Sequence, residues 1–410
     1  MKTKQTDVNL LTRAWRLTPK EVKLEEKLAA GSFGEVWKGA PHNRWVVAIK
    51  KLFPSKSKNQ SQNKSSSRTR SRRSMNRNAS KSAAASRGLF QDSEIRFLMR
   101  TRHERLVMFL GCGISEDGGC FLVMEFMDGG SLDRALWAGQ SVSSIASWIQ
   151  RIQILIDVVD GLAYLHLMHK TVHRDLKSPN ILLETIVHND DATRSDKTVT
   201  HRAKLADFGL SRIFNSSKKR ISTSEETKKS SRNAIRQANW ESTLMKGYVG
   251  TPRWMAPEMM SGETKIGPSV DIFSFGVVMW EVWSRRKPWS EFSDKQDIFK
   301  AVRDDKKKLK PCRSEKAPSG YENLMDRCVA YESKQRPLID VIRTELHDIL
   351  KSAAEIQHRR RSSMEQDNMM SDDSMVMDMR ISGEFQGSGA EIEMKTMVLD
   401  VDVDEIQEKL

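Results

Sequence analysis

From residue 21 to 53 apolar and polar side chains alternate, first in VKLEEKLAAGSFGEVWKGA and again in WVVAIKKLF. That is the period of half-buried strands. Over 89–102 (LFQDSEIRFLMRTR) the spacing turns helical, with Leu89, Ile95, Leu98 and Met99 on one face, and two more strand-like runs follow, RLVMFLGCG and CFLVMEFM. Beyond Gly130 the period stays helical: Ser131 to Ala138, Ala146 to His166, Ser269 to Ser284 and Tyr321 to Ser352. The pattern predicts an α+β, two-lobed fold, a small sheet-rich lobe with one helix followed by a larger, mainly helical lobe.

The periodic segments are separated by stretches with almost nothing to bury. Between Pro54 and Gly88 lies a Ser/Arg/Lys/Asn tract without an acidic residue, and further polar insertions lie near 184–202 and 215–241. Each reads as a disordered loop. Loop-closure entropy rises by only about 0.6 kcal/mol per doubling of length, so one compact domain tolerates all three. The division expected is an N-terminal extension over 1–16, one domain over 17–350, and a flexible tail over 351–410 that becomes acidic from Met364 onward.

Charge and cysteine usage narrow the class. The net charge of +14 is concentrated unevenly, with the basic insertion against the acidic tail. Aromatic residues are not interleaved with the basic tract at 68–77, so base stacking is not expected there and nucleic acid is not an expected partner. Nuclear import and salt-screened contact with the acidic tail are the other readings of that tract. Cys112, Cys120, Cys312 and Cys328 show no CxxC pairing, which signals neither a zinc site nor a disulfide framework. The start MKTKQTDVNL lacks a signal-peptide core, Lys2 stands where myristoylation needs glycine, and there is no apolar run of about 18 residues. The expectation is a soluble cytoplasmic protein, with the nucleus as a second location.

Four short constellations carry chemistry. Ala29-Ala30-Gly31-Ser32-Phe33-Gly34-Glu35-Val36 sits between two strands, where glycines let backbone approach phosphate, although alone it reads equally well as an ordinary Gly-containing hairpin. Val47-Ala48-Ile49-Lys50 ends a strand on a lysine, which needs an acidic partner to be more than a solvated strand end; Glu94 on the following helix is the candidate. His173-Arg174-Asp175-Leu176-Lys177-Ser178-Pro179-Asn180 follows a long apolar helix, and Asp207-Phe208-Gly209 follows the apolar AKLA. With Ala256-Pro257-Glu258 and the DIFSFGVVMWE helix in the same order, chance is no longer an explanation.

On these motifs the segment from about Leu17 to Leu350 resembles a protein kinase catalytic domain of the serine/threonine type. The run GTPRWMAPEMM, the SFGVVMWEVW helix and RCVAYESKQRP look like the tyrosine-kinase-like group, near Raf-like and mixed-lineage kinases, with Val329 and Ser333 departing from that pattern. The resemblance implies ATP and Mg2+ as cofactors and protein Ser/Thr hydroxyls as substrates. It implies that Ala29, Gly31, Phe33 and Gly34 cover the phosphates, that Lys50 pairs with phosphate and with Glu94, and that Asp175 is the catalytic base beside Lys177. Asn180 and Asp207 are the implied metal ligands. Adenine is expected between Val36 and Ala48 above and Leu182 below, against the Glu125-Phe126-Met127 connection, with Met124 behind it. Thr251 is placed by the same likeness beside Asp175 and Lys177, and Glu258 with Arg336 as a buried ion pair.

One departure is Ala29 at the first glycine of the loop pattern; if positive φ is required there, alanine costs about 1 kcal/mol. The long stretch from Asp207 to Glu258 is rich in Ser and Thr, and Ser242 and Thr243 are the preferred sites for an upstream activating kinase, a phosphate near Arg174 ordering the segment. A pseudokinase-type scaffold and a dual-specificity kinase stay open as alternatives. The sequence names no protein substrate, pathway or oligomeric state.

Overall fold

The computed structural model describes residues 15–31, 34–41, 45–52, 97–115, 120–137, 145, 147–188, 198–207, 212–213, 251–263, 266–310 and 315–381. The alternating N-terminal segments form β1 (Val22–Gly31), β2 (Gly34–Pro41), β3 (Val47–Leu52), β4 (Phe109–Ile114) and β5 (Cys120–Glu125). They make one antiparallel sheet in the order β1-β2-β3-β5-β4. Period-2 patterning puts Val47 and Ile49 of β3 and Phe121 and Val123 of β5 on the buried side, where with Val22 they form a small separate core. Of the helix expected over 89–102, residues 97–100 are helical and 89–96 lie outside the described residues.

The start of the folded unit differs from the boundary at 17. The Leu17 N–H donates to the Cys112 carbonyl (2.8 Å) and the Cys112 N–H to the Trp15 carbonyl (2.9 Å), so residues 15–17 line the free edge of β4. Trp15 packs on Phe109 at 5.7 Å between ring centroids. A bulky aromatic covering an open strand edge removes exposed backbone groups, which is why the fold reaches back into the supposed extension.

The larger lobe is built on β6 (Gly130–Ser131), α1 (Leu132–Trp137), α2 (Trp148–Ala163), β7 (Thr171–Val172), β8 (Ile181–His188), β9 (Thr198–Leu205) and β10 (Arg212–Ile213). After them come α3 (Pro257–Met260), α4 (Ser269–Ser284), α5 (Lys295–Phe299), α6 (Tyr321–Cys328) and α7 (Ile339–Ile381). Ser147 caps α2 by accepting the Gln150 N–H (3.2 Å). Helix α4 is buried at every residue from Val270 to Ser284, being apolar on all sides apart from a few polar positions such as Asp271 and Glu281, and the main core is arranged around it and α2.

Two segments are more regular than their polarity suggested. β8 and β9 pair from Ile181↔Leu205 out to His188↔Thr198, so strands occupy both flanks of the expected 184–202 insertion and only 189–197 lie outside the described residues. Ile186 and Val187 of β8 face Thr200 and Val199 of β9, β-branched residues that fit a pleated surface even where it is polar. The terminal helix continues from Ile339 to Ile381, past the 351 boundary of the expected tail. From Lys351 to Ile381 there is neither proline nor glycine, and the first glycine follows at Gly383. Residues 382–410, the tract 54–88 and the 215–241 insertion lie outside the described residues. Among the described residues no helix is long and apolar enough to cross a membrane.

Candidate active site

The roof of the cleft is the β1–β2–β3 sheet. Gly31 ends β1 opposite Gly34, and a side chain on Gly34 would place its Cβ 1.9 Å from the Lys51 carbonyl oxygen, so that position admits only glycine. Ala29 is paired with Val36 inside β1 and is not among the positive-φ residues. The backbone cost raised for alanine there does not arise, because an extended strand conformation suits any L-residue. Phe33 lies outside the described residues.

Register fixes the rest of the roof. Val36 lies opposite Lys50, Ala48 opposite Met124 and Lys50 opposite Leu122. The Glu125 side chain is turned away from the hinge backbone: Oε1 accepts the Met108 N–H (2.6 Å) and Oε2 pairs with the Lys204 ammonium (2.8 Å). Met127 is buried, and Leu182 on β8, half-buried and opposite Ser131, supplies the floor on the other lobe.

Lys50 reaches across to Asp207, Nζ to Oδ1 at 2.5 Å. Its expected partner Glu94 lies outside the described residues. Burial acts to raise the Asp207 pKa, but the Lys50 charge and hydrogen bond outweigh it, with His173 and Lys177 adding to them, and the carboxyl is held below its ordinary value. The Asp207 backbone has φ 63°, a conformation uncommon outside glycine, as does Arg174 at φ 69°. Both flank the place where the two lobes meet, and the surrounding bonds are what hold them there.

Asp175 is the centre of the second group. Its Oδ2 accepts from Lys177 Nζ (2.6 Å) and from Asn180 Nδ2 (3.2 Å), and its Oδ1 accepts from the Thr251 N–H (3.1 Å) and hydroxyl (2.8 Å). Lys177 Nζ also donates to Thr251 Oγ1 (2.7 Å), so Thr251 stands where the resemblance placed it. Asn180 Nδ2 further donates to the Asp175 carbonyl (2.8 Å), and the Asn180 carbonyl accepts the Ala206 N–H (2.8 Å), which sets Asn180 next to Asp207. The Asn180 side-chain oxygen and Asp207 Oδ2 take part in none of these bonds. Two hard oxygen donors of this kind, one anionic, fit a small divalent cation that completes its shell with phosphate and water.

Asp271 on α4 supports this group from below, and sequence reasoning missed it. Fully buried, it accepts the His173 N–H at Oδ2 and the Arg174 N–H at Oδ1, both at 2.8 Å, and contacts His166 Nε2 at 2.8 Å. Burial would raise its pKa, yet the His166 bond and charge, with His173 and the Arg174 N–H, leave it lowered. His173 in turn contacts the Ala206 carbonyl through Nε2 (3.0 Å), linking the loop before Asp175 to the strand before Asp207. The signal was present: a carboxylate inside an apolar helix must find partners, because an unpaired buried charge costs several kcal/mol.

The segment after Thr251 is fixed from both sides. Arg253 donates to the Pro288 and Phe292 carbonyls (2.7 and 2.8 Å) and to that of Trp289. Glu258 forms the expected buried pair with Arg336. Ser242 and Thr243 lie outside the described residues.

The family described as "Protein kinase domain" matches residues 67–366. The mitogen-activated protein kinase kinase kinase dlk-1 of Caenorhabditis elegans is 27% identical over 332 residues, covering 80% of this chain and 26% of dlk-1. The serine/threonine-protein kinase STY46 of Arabidopsis thaliana is 25% identical over 352 residues (86% of this chain, 48% of STY46). The serine/threonine-protein kinase CTR1 of the same plant is 28% identical over 338 residues (81% and 32%). The chain thus spans between about a quarter and a half of the length of these relatives, which accord with the tyrosine-kinase-like reading.

Proposed function

We propose that this chain, which belongs to the protein kinase family, transfers the γ-phosphoryl group of ATP to serine and threonine hydroxyls of proteins. The observation that carries the proposal is the Asp175 carboxylate held between the Lys177 ammonium and the Thr251 hydroxyl, and joined through Asn180 to the strand before Asp207, which Lys50 reaches from the roof. Asp175 is an anionic acceptor positioned for the proton of an incoming hydroxyl. As that oxygen bonds to the γ-phosphorus and the bond to the β–γ bridging oxygen breaks, Lys177 neutralises charge on the transferring group. Lys50 lies at the phosphate end of the roof, and the glycine-containing β1–β2 turn lets backbone approach the phosphates.

Use of ATP with a divalent metal goes with the family, and Mg2+ is the ion we infer. Asp207 and Asn180 would hold it, and when bound it supplies positive charge to the phosphate oxygens. The protein's own part is positioning and electrostatics, since a loose, highly charged transition state needs little covalent chemistry. Protein substrates, an upstream activating kinase and a cytoplasmic or nuclear location belong to the same reading.

The test is phosphate transfer from labelled ATP and Mg2+ to a generic protein substrate, with Asp207→Ala alongside. Label on Ser and Thr that disappears in the variant is the expected result. Label on tyrosine as well would point to dual specificity. Equal background in both proteins, with nucleotide still bound, would replace the proposal with a binding scaffold.

A further inference from the structure

Glu281 is a fully buried carboxyl near the end of α4, and it touches neither the cleft nor the residues assigned above. Its Oε2 accepts the Trp254 indole N–H at 2.6 Å, and its Oε1 is 2.7 Å from the Ser178 hydroxyl, with the Ser178 backbone N–H also directed at it. Ser178 directly follows Lys177, and Trp254 is three residues past Thr251. The loop 175–178 and the segment 251–254 are therefore tied twice. The upper tie, Asp175 and Lys177 to Thr251, faces the cleft; the lower tie passes through Glu281.

We propose that Glu281 is a positioning residue for phosphoryl transfer, its buried carboxyl fixing the loop that carries Asp175 and Lys177 in register with the segment that carries Thr251. The inference rests on the kinase reading above and extends it to a residue outside the cleft. The upper tie has to rearrange when a substrate hydroxyl takes its place beside Asp175. The lower tie does not, so it holds the two segments together during that exchange. Misplacement of reacting groups by about 1 Å can cost about 100-fold in rate.

The surroundings also set its protonation. Burial, with Asp133 of α1 as the nearby charge acting in the same sense, pushes Glu281 up to about 8 against the lowering effect of Trp254 and Ser178. The neighbouring cations are engaged elsewhere, Lys177 by Asp175 and Thr251, and Arg253 by the Pro288 and Phe292 carbonyls. At neutral pH Glu281 is then mostly a neutral acid that accepts from Trp254 and shares a hydrogen with the Ser178 hydroxyl. Glutamine reproduces that pattern, its amide N–H₂ donating to Ser178 Oγ and its oxygen accepting from Trp254.

The experiment compares full-length wild type, Glu281→Gln, Glu281→Ala and Trp254→Phe well below their thermal midpoints. Glu281→Ala is expected to lower kcat roughly 10- to 100-fold with KM for ATP little changed, Trp254→Phe to lower it less, and Glu281→Gln to recover most of the loss. A folded Glu281→Ala protein with wild-type kcat, or Glu281→Gln as impaired as Glu281→Ala, would overturn the proposal. Should wild type transfer no phosphate at all, the kinase reading fails separately, and amide exchange decides this one. Faster exchange over 176–180 and 251–254 in Glu281→Ala, with α2 unchanged, upholds the tie; identical exchange removes it.

Discussion

Arg336 grips Glu258 through two parallel hydrogen bonds, Nη1 to Oε1 at 2.6 Å and Nη2 to Oε2 at 2.8 Å, both residues being buried. Its remaining N–H groups reach the carbonyls of Ala330, Ser269 and Tyr331 at 2.8, 2.9 and 3.0 Å, so all five donors have acceptors. One side chain thereby joins the end of the segment after Thr251 to the start of α4 and to the stretch before α7. Removing it strands a buried carboxylate. Arg336→Ala should lose about 3–5 kcal/mol of stability in urea denaturation, and Arg336→Lys should recover little, because an ammonium cannot supply the planar fork. A loss under about 1 kcal/mol would show that Glu258 finds another partner or water.

Asp175→Asn removes the anionic proton acceptor but keeps an oxygen for the Thr251 N–H and hydroxyl. Its kcat should fall about 100- to 10,000-fold, with nucleotide affinity and thermal midpoint close to wild type. Measuring kcat beside nucleotide binding separates this from a general loss of fold. Retained turnover would move the proton acceptor elsewhere.

Asp271→Asn introduces an amide N–H₂ where both carboxylate oxygens now receive N–H groups. One of the His173 and Arg174 amides loses its acceptor, at a cost of about 1–3 kcal/mol, and Asp175 loses its anchorage. The expected outcome is reduced stability with a further drop in kcat at temperatures where the variant is folded. Because the folded Asp271 pKa is lowered, the stability it contributes is present above its unfolded pKa and declines as pH falls through the folded one.

Asp157 titrates the other way. Burial pushes it up to about 6, although Arg105 at 3.0 Å and the Ala203 N–H at 2.8 Å both favour the ionised form. A carboxyl with a raised folded pKa contributes stability that is fully present below the unfolded value and is lost as pH rises through the folded one. Between its unfolded value of 3.8 and about 6, that loss amounts to about 3 kcal/mol. Subtracting the stability–pH curve of Asp157→Asn from that of wild type should leave this descending step, and a flat difference would contradict it.

Much of this protein was legible in its residues. Alternation at Val47 and Ile49 and at Phe121 and Val123 gave the strands because period 2 is a property of the local backbone, and the predominantly apolar sequence of α4 matches its burial. The resemblance to protein kinases implied one site for Asp175, Lys177, Asn180, Asp207 and Thr251, and a buried pair for Glu258 and Arg336. What remained hidden was which residues in a segment face a partner far along the chain. Polarity alone made 184–202 look unstructured, yet β9 is held by Gln150 and Asp157 of α2, which bond His201 and Ala203. Nothing local to Trp15 marks it as part of the folded unit, because the surface it covers is the free edge of β4, far along the chain. Asp271 and Glu281 share one helix and one apolar context, and only the tertiary structure gives one of them backbone N–H groups and the other an indole and a serine. Local sequence sets secondary structure and the identity of reactive groups; the charge state of a buried acid depends on neighbours that only folding brings within hydrogen-bond distance.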